Sequence, residues 1–178
     1  RGRGVASGFW MNGAGAACAT AMVNFDGTVN LTIGSMDIGG LRPVAAQHLS
    51  EVLGIPVEEV NPQVADTDSI GFTSMTGGSG AAFKTGWASY EAAQDVKRQM
   101  IDRAAMIWET SAEEIQLADG VFSHRSDPEL KFTFRDLAAE TPGTGGPVVG
   151  RANMNPPGPG SAFATHIVDV EVDRRRAK

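Results

Sequence analysis

Residues 23–54 read VNFDGTVNLTIGSMDIGGLRPVAAQHLSEVLG, and in them a two-residue period gives way to a helical one. Over residues 23–33 apolar and polar side chains alternate about Asp26-Gly27, a dipeptide suited to the left-handed backbone of a tight hairpin turn. Over residues 43–53 the positions Val44, Ala45, His48, Leu49 and Val52 recur at helical spacing, Gly54 stops the helix and Pro56 lies just beyond. The order is strand, glycine-rich turn, helix, and the first 40 residues are expected to be an antiparallel pair.

Working outward, residues 60–65 can make another strand, followed by the polar turn Asp66-Thr67-Asp68-Ser69. A glycine loop then leads into the longest helix, residues 81–108, with Trp87, Tyr90, Ala93, Val96, Met100, Ala104 and Ile107 on one stripe. Ser111-Ala112-Glu113-Glu114 matches a capping box for a short helical turn. Asp119-Gly120 marks a second hairpin within residues 115–124, with residues 131–134 as its sequel and a short helix over 134–140. Residues 142–160, rich in proline and glycine, read as a long loop, and residues 162–172 close as a strand with Val168, Val170 and Val172 alternating. Hairpins mixed with helices, rather than strict alternation, predict an α+β fold: a two-layer mixed sheet with helices, in one domain over residues 1–178.

The chain has 178 residues, enough for one domain with a core of its own; 42% are hydrophobic and 20% charged, a globular composition. Its 21 acidic residues outnumber 15 basic ones, for a net charge of -6. That balance excludes a nucleic-acid surface, which needs clustered Lys and Arg. The basic run Arg174-Arg175-Arg176 with Lys178 reads as a solvated tail. The lone Cys18, in a run of small residues, has no internal disulfide partner and no CxxC mate, and is expected to be a buried, inert thiol. It fits a reducing compartment, and a cytoplasmic location is expected. No apolar run reaches the length of a membrane span. The chain opens on Arg1 rather than Met and closes on HIVDVEVDRRRAK, a strand leading into a turn, so a piece of a longer protein is expected.

Few residues carry recognisable chemistry. Gly77-Gly78-Ser79-Gly80 lacks the spacing of a dinucleotide fingerprint, and Lys84-Thr85 follows no Walker loop. The first N–H groups of a helix have no partner within it and its dipole favours negative charge there, so this turn, opening a helix at Ala81, could hold an anion. It could equally be a tight turn that needs glycine's backbone freedom. Asp37-Ile38-Gly39-Gly40 has the same form, leaving a strand and entering a helix, and the two turns could converge on one phosphate- or oxo-bearing ligand or be independent. His48, His124 and His166 are far apart, with His48 on an apolar helix face that suits a satisfied core histidine; Asp66-Thr67-Asp68 lacks the glycine and glutamate of a calcium loop. No protein-ligated metal is expected. No GxSxG surrounds a serine, and Glu58-Glu59 and Glu113-Glu114 suit helix-start dipoles.

Together, RGRGVASGFW, FDGTVNLTIGSMDIGG, EVLGIPVEEV, ADTDSIGF, TGGSGAAFKTGWASYEAAQDVK and HIVDVEVD, in this order and spacing, resemble the molybdenum-binding subunit of the xanthine dehydrogenase and aldehyde oxidase family, over residues 1–173. The nearest flavour is the large subunits of 4-hydroxybenzoyl-CoA reductase and carbon monoxide dehydrogenase, with a similar GSxDIGG segment and TGGS loop. The resemblance implies one lobe of a molybdenum cofactor-binding domain. The cofactor it implies is molybdenum on a pterin dithiolene, in bacteria commonly the cytosine dinucleotide form. The implied reaction is water-derived hydroxylation or oxidation of a small aldehyde, N-heterocycle or related substrate. Electrons leave through iron–sulfur clusters to FAD on partner subunits or domains, and the remainder of the large subunit is a further partner.

The same resemblance assigns cofactor contacts to Ile38, Gly39 and Gly40, where the family's glutamine is missing, and to Gly78 and Ser79. Relatives often carry arginine where this chain has Gly80. The family's catalytic glutamate lies downstream of the final strand, so no catalytic residue is assigned, and the chain alone is expected to lack cofactor and activity. The other reading is a non-catalytic, stand-alone module of the same fold that binds a protein or a small anion.

Overall fold

The computed structural model describes residues 1–13 and 15–173, so the basic tail lies outside the described residues. In chain order the elements are β1 (Gly2–Asn12), β2 (Ala17–Val23), β3 (Val29–Ile33), α1 (Leu41–Leu53), β4 (Val60–Val64), α2 (Ala81–Trp108), β5 (Ile115–Ala118), β6 (Val121–His124), β7 (Lys131–Thr133), α3 (Phe134–Glu140), β8 (Val149–Met154) and β9 (Gly160–Val170). The α+β class is the one expected.

The central sheet has the order β4-β3-β2-β8. Strands β3 and β4 run parallel, and the other pairs are antiparallel. The Asp26-Gly27 turn forms as read: Gly27 takes φ 85°, and the Asp26 carboxylate accepts from the Thr28 N–H at 3.0 Å. The cross-strand partners Ala19–Ile33, Ala21–Leu31 and Val23–Val29 are all buried, because the two-residue period puts them on one face. Helices α1 and α2 cover that face together. Each fully buried aliphatic residue there, such as Leu31, Ile33, Leu49 or Leu53, contributes roughly 1.5–3 kcal/mol by leaving water.

Helix α2 comes down on small residues. A Cβ on Gly150 of β8 would lie 2.2 Å from the Ala92 carbonyl oxygen and 2.7 Å from Val96, so only glycine lets helix and strand approach this closely. This corrects the expected stripe. Ala93, Val96, Met100 and Ala104 are buried as read, but Ala88 and Ala92 join them, while Trp87 and Tyr90 are pushed to the flank. There the two rings meet edge to face, with centroids 5.7 Å apart.

Four further expectations change. The first 40 residues are not one antiparallel pair: β1 pairs along its whole length with β9, in an exposed two-stranded ribbon apart from the central sheet. The stretch 142–160 is not all loop, because residues 149–154 form β8 against β2. Its uneven sequence, VGRANM, hides the alternation that tertiary pairing reveals. Ser111 makes no side-chain cap, and the turn after it is a three-residue 3-10 helix; the capping box forms instead between Thr133 and Asp136 at the start of α3. His48 is exposed rather than in the core, its Nδ1 is 2.8 Å from the Val44 carbonyl oxygen, and its ring lies over Gly86 of α2.

Candidate cofactor-binding site

Strands β3 and β4 are parallel and in register, with Ile33 opposite Val64. The chain therefore leaves both at the same edge of the sheet and enters α1 and α2 from that edge. Both glycine turns are rooted there. A buried hydrogen bond, 2.8 Å from the Thr85 hydroxyl to the Ser35 hydroxyl, ties the segment just beyond β3 to the second turn of α2. Cys18 is buried beneath the same edge, as expected; its thiol donates to the Gly71 carbonyl at 2.7 Å and lies 3.1 Å from the Thr73 hydroxyl.

The first turn satisfies itself. The Asp37 carboxylate accepts from the N–H groups of Gly39 and Leu41, each at 2.9 Å, and from the Arg42 guanidinium at 2.8 Å. The Arg42 cation and these amides hold the Asp37 carboxyl well below the usual carboxylate range. Pro43, in the first turn of α1, has no N–H to offer. The turn therefore already holds an anion, Asp37 itself. Gly39 and Gly40 have φ 116° and 79°, and a Cβ on either would meet nothing within 4 Å. Ile38 beside them is 74% exposed.

The second turn is built the other way round. It is tethered from behind by the loop after β1: the Gly13 N–H donates to the Gly78 carbonyl at 2.7 Å, and the Ser74 N–H to the Ala16 carbonyl at 2.8 Å. Gly80 is pressed so closely against Gly13 that a Cβ on it would lie 1.9 Å from the Gly13 carbonyl oxygen. No side chain caps α2 at Gly80, so the first N–H groups of this 28-residue helix keep their partial positive charge. Gly78 and Ser79 both take positive φ, 61° and 58°, and both are exposed. Among the described residues their N–H groups meet no backbone acceptor.

Sequence reasoning found both turns but missed two residues that distinguish them. Asp37 could have been recognised as an acceptor placed just ahead of a helix start. Lys84 lies on the line of buried residues Ala81, Lys84, Thr85, Ala88 and Ala92, where a charged residue is out of place. Its ammonium donates to the carbonyls of Ser74 and Met75, at 2.5 and 2.8 Å, and to the Ser74 hydroxyl at 2.9 Å.

The central sheet thus carries two glycine turns of opposite character in an α+β domain: Asp37 takes the donors of the first, and the N–H groups of Gly78 and Ser79 in the second meet no backbone acceptor among the described residues. The family model for the molybdopterin cofactor-binding domain matches residues 1–178, and the chain belongs to that family. It is 32% identical to the xanthine dehydrogenase molybdenum-binding subunit of Escherichia coli O157:H7, a match covering 97% of this chain and 24% of that protein. Against the nicotine 6-hydroxylase large subunit of Paenarthrobacter nicotinovorans it is 31% identical over 67% of this chain and 15% of the relative. The fold is similar to that of reconstituted CO dehydrogenase from Oligotropha carboxidovorans, with a TM-score of 0.82 at 22% identity over 93% of this chain and 23% of the other. The chain thus spans about a quarter of the length of the xanthine dehydrogenase subunit.

Proposed function

We propose that this chain acts within a longer molybdenum-dependent oxidoreductase subunit as the lobe that offers glycine turns to the cofactor. The observation that carries the reading is the open second turn: exposed Gly78 and Ser79 ahead of a helix with no side-chain cap. The two N–H groups and the Ser79 hydroxyl are placed to donate to oxo or phosphate oxygens. Ile38, Gly39 and Gly40 take a different part. The Gly39 amide is committed to Asp37, so this turn contributes close approach, with open space over both glycines and an apolar contact from Ile38. When bound, the molybdenum-pterin group, in its cytosine dinucleotide form, supplies the redox centre for water-derived hydroxylation of a small aldehyde or N-heterocycle. This chain's residues bind and orient that group, and none is assigned to proton transfer.

The remainder of the large subunit is the partner for the β1–β9 ribbon, where Phe9, Trp10 and Phe163 are 66%, 59% and 85% exposed and the paired strands have no second layer. Iron–sulfur and flavin subunits or domains take the electrons onward. The parent subunit works in the cytoplasm in this reading; among the described residues no helix is long and apolar enough to cross a membrane. The chain alone is inactive in this reading.

The test is to purify the full-length subunit with its partner subunits from cells that make the cofactor, and to measure molybdenum and pterin per protein. Near-stoichiometric loading is expected. A folded, metal-free complex would sink the reading and favour a non-catalytic binding module.

A further inference from the structure

Lys84 is 1% exposed, among the most buried large side chains in the molecule. Among the described residues it forms no ion pair, since the salt bridges recorded all involve arginines. Its three acceptors, the carbonyl oxygens of Ser74 and Met75 and the Ser74 hydroxyl, are all neutral. Burial pushes the ammonium below its ordinary value. A buried cation with only dipoles around it is costly unless an anion balances it.

The geometry indicates where that anion would sit. Helical side chains lean back toward the helix start, so Lys84, in the first turn of α2, reaches behind the loop that precedes the helix. Carbonyl and N–H groups of a trans peptide point in opposite directions, and the described residues contain no cis peptide. With the Ser74 and Met75 carbonyls drawn inward to the ammonium, the N–H groups of Met75 and Thr76 are turned away from it, and among the described residues neither meets a backbone acceptor. Position 80 cannot supply a cation, because the Gly13 carbonyl occupies the space of any Cβ there.

We propose that Lys84 is the positioning residue of the second glycine turn, fixing its carbonyls from behind and balancing the charge of a phosphate- or oxo-bearing anion bound in front. This rests on the reading that the turn faces the molybdenum cofactor, and adds to it the residue that makes the turn competent.

The test compares the full-length wild-type subunit with Lys84→Met, which keeps the length of the side chain, and Lys84→Arg, which keeps the charge. Three quantities are read: molybdenum per protein, the melting temperature, and the dissociation constant of the cofactor-free protein for inorganic pyrophosphate as a probe. Lys84→Met is expected to bind pyrophosphate about 10- to 100-fold more weakly, the usual range for removing a group that supports a ligand from behind, and to lose molybdenum while staying folded. Lys84→Arg is expected to recover most of both. Equal binding by wild type and Lys84→Met overturns the proposal, as does loss of binding in both variants in step with melting, or a Lys84→Met subunit that fails to fold, because the lysine then serves only the fold. A wild-type subunit without molybdenum in which Lys84→Met still weakens pyrophosphate binding instead separates the two claims: the lysine acts on an anion, and the molybdenum reading fails.

Discussion

At the start of α1 the Asp37 carboxylate covers the N–H groups of Gly39 and Leu41, and Pro43 brings no N–H of its own. At the start of α2 no side chain caps the helix, and the Lys84 ammonium is bound by carbonyls of the loop that precedes it. Both turns combine glycine with a helix N-terminus, and both leave the sheet by the same edge. One is closed by a resident anion and the other is open, with a cation in reserve. A glycine-rich helix start is therefore not in itself a binding site: what decides is whether the chain's own side chains have already taken its donors.

The largest effect that would sharpen this contrast is expected from Gly80→Ala. The added methyl meets backbone, not a side chain that can move aside, and should destabilise the protein by about 2–3 kcal/mol. Gly39→Ala finds open space, and only its left-handed backbone opposes it, at roughly 1 kcal/mol. Denaturant unfolding of the two variants measures the difference; equal losses would mean that the second turn is not held against Gly13.

A smaller effect is expected from Asp37→Asn, which removes the resident anion from the first turn. The folded pKa of Asp37 lies below its unfolded value, so its stabilisation is present above about pH 3.9 and fades as the pH falls toward the folded value. Carboxyl NMR should show Asp37 still ionised when ordinary aspartates have protonated. In the variant the acid limb of the stability curve should be flatter and amide exchange at Gly39 and Leu41 faster, with exchange at Gly78 unchanged. Equal changes at both turns would break the comparison.

The smallest effect on stability is expected from Ser79→Ala. Ser79 is exposed, so the variant should stay within about 0.5 kcal/mol of wild type. If the hydroxyl donates to the cofactor, molybdenum content should fall nonetheless. A stable variant with full loading would leave only the backbone N–H groups as donors in the second turn.

Local signals in the sequence were enough for the parts of the fold that depend on neighbours. Asp26-Gly27 and Asp119-Gly120 gave both hairpins, with φ 85° at Gly27 and 72° at Gly120. The apolar period after Gly80 gave the bounds of α2. What escaped was set by distant partners. Strand β1 is strand because β9 pairs with it from Gly2–Val170 to Asn12–Gly160, and GRGVASGFWMN carries no clear alternation to announce this. Strand β8 needed β2 beside it and α2 above its Gly150. The two glycine turns were legible as turns, but not which donors remained open, because that depends on where Asp37 and Lys84 point.

The hydroxyl-to-hydroxyl bond between Thr85 and Ser35 has a mechanical meaning. Thr85 follows Lys84 on the helix and Ser35 lies just beyond β3, two residues before Asp37, and both are buried. The bond joins the N-terminal part of α2 to the segment that leads into the Asp37 turn. The open turn and the closed one therefore share one buried support while their donors stay separate: the Asp37 carboxylate takes the N–H groups of its own turn only.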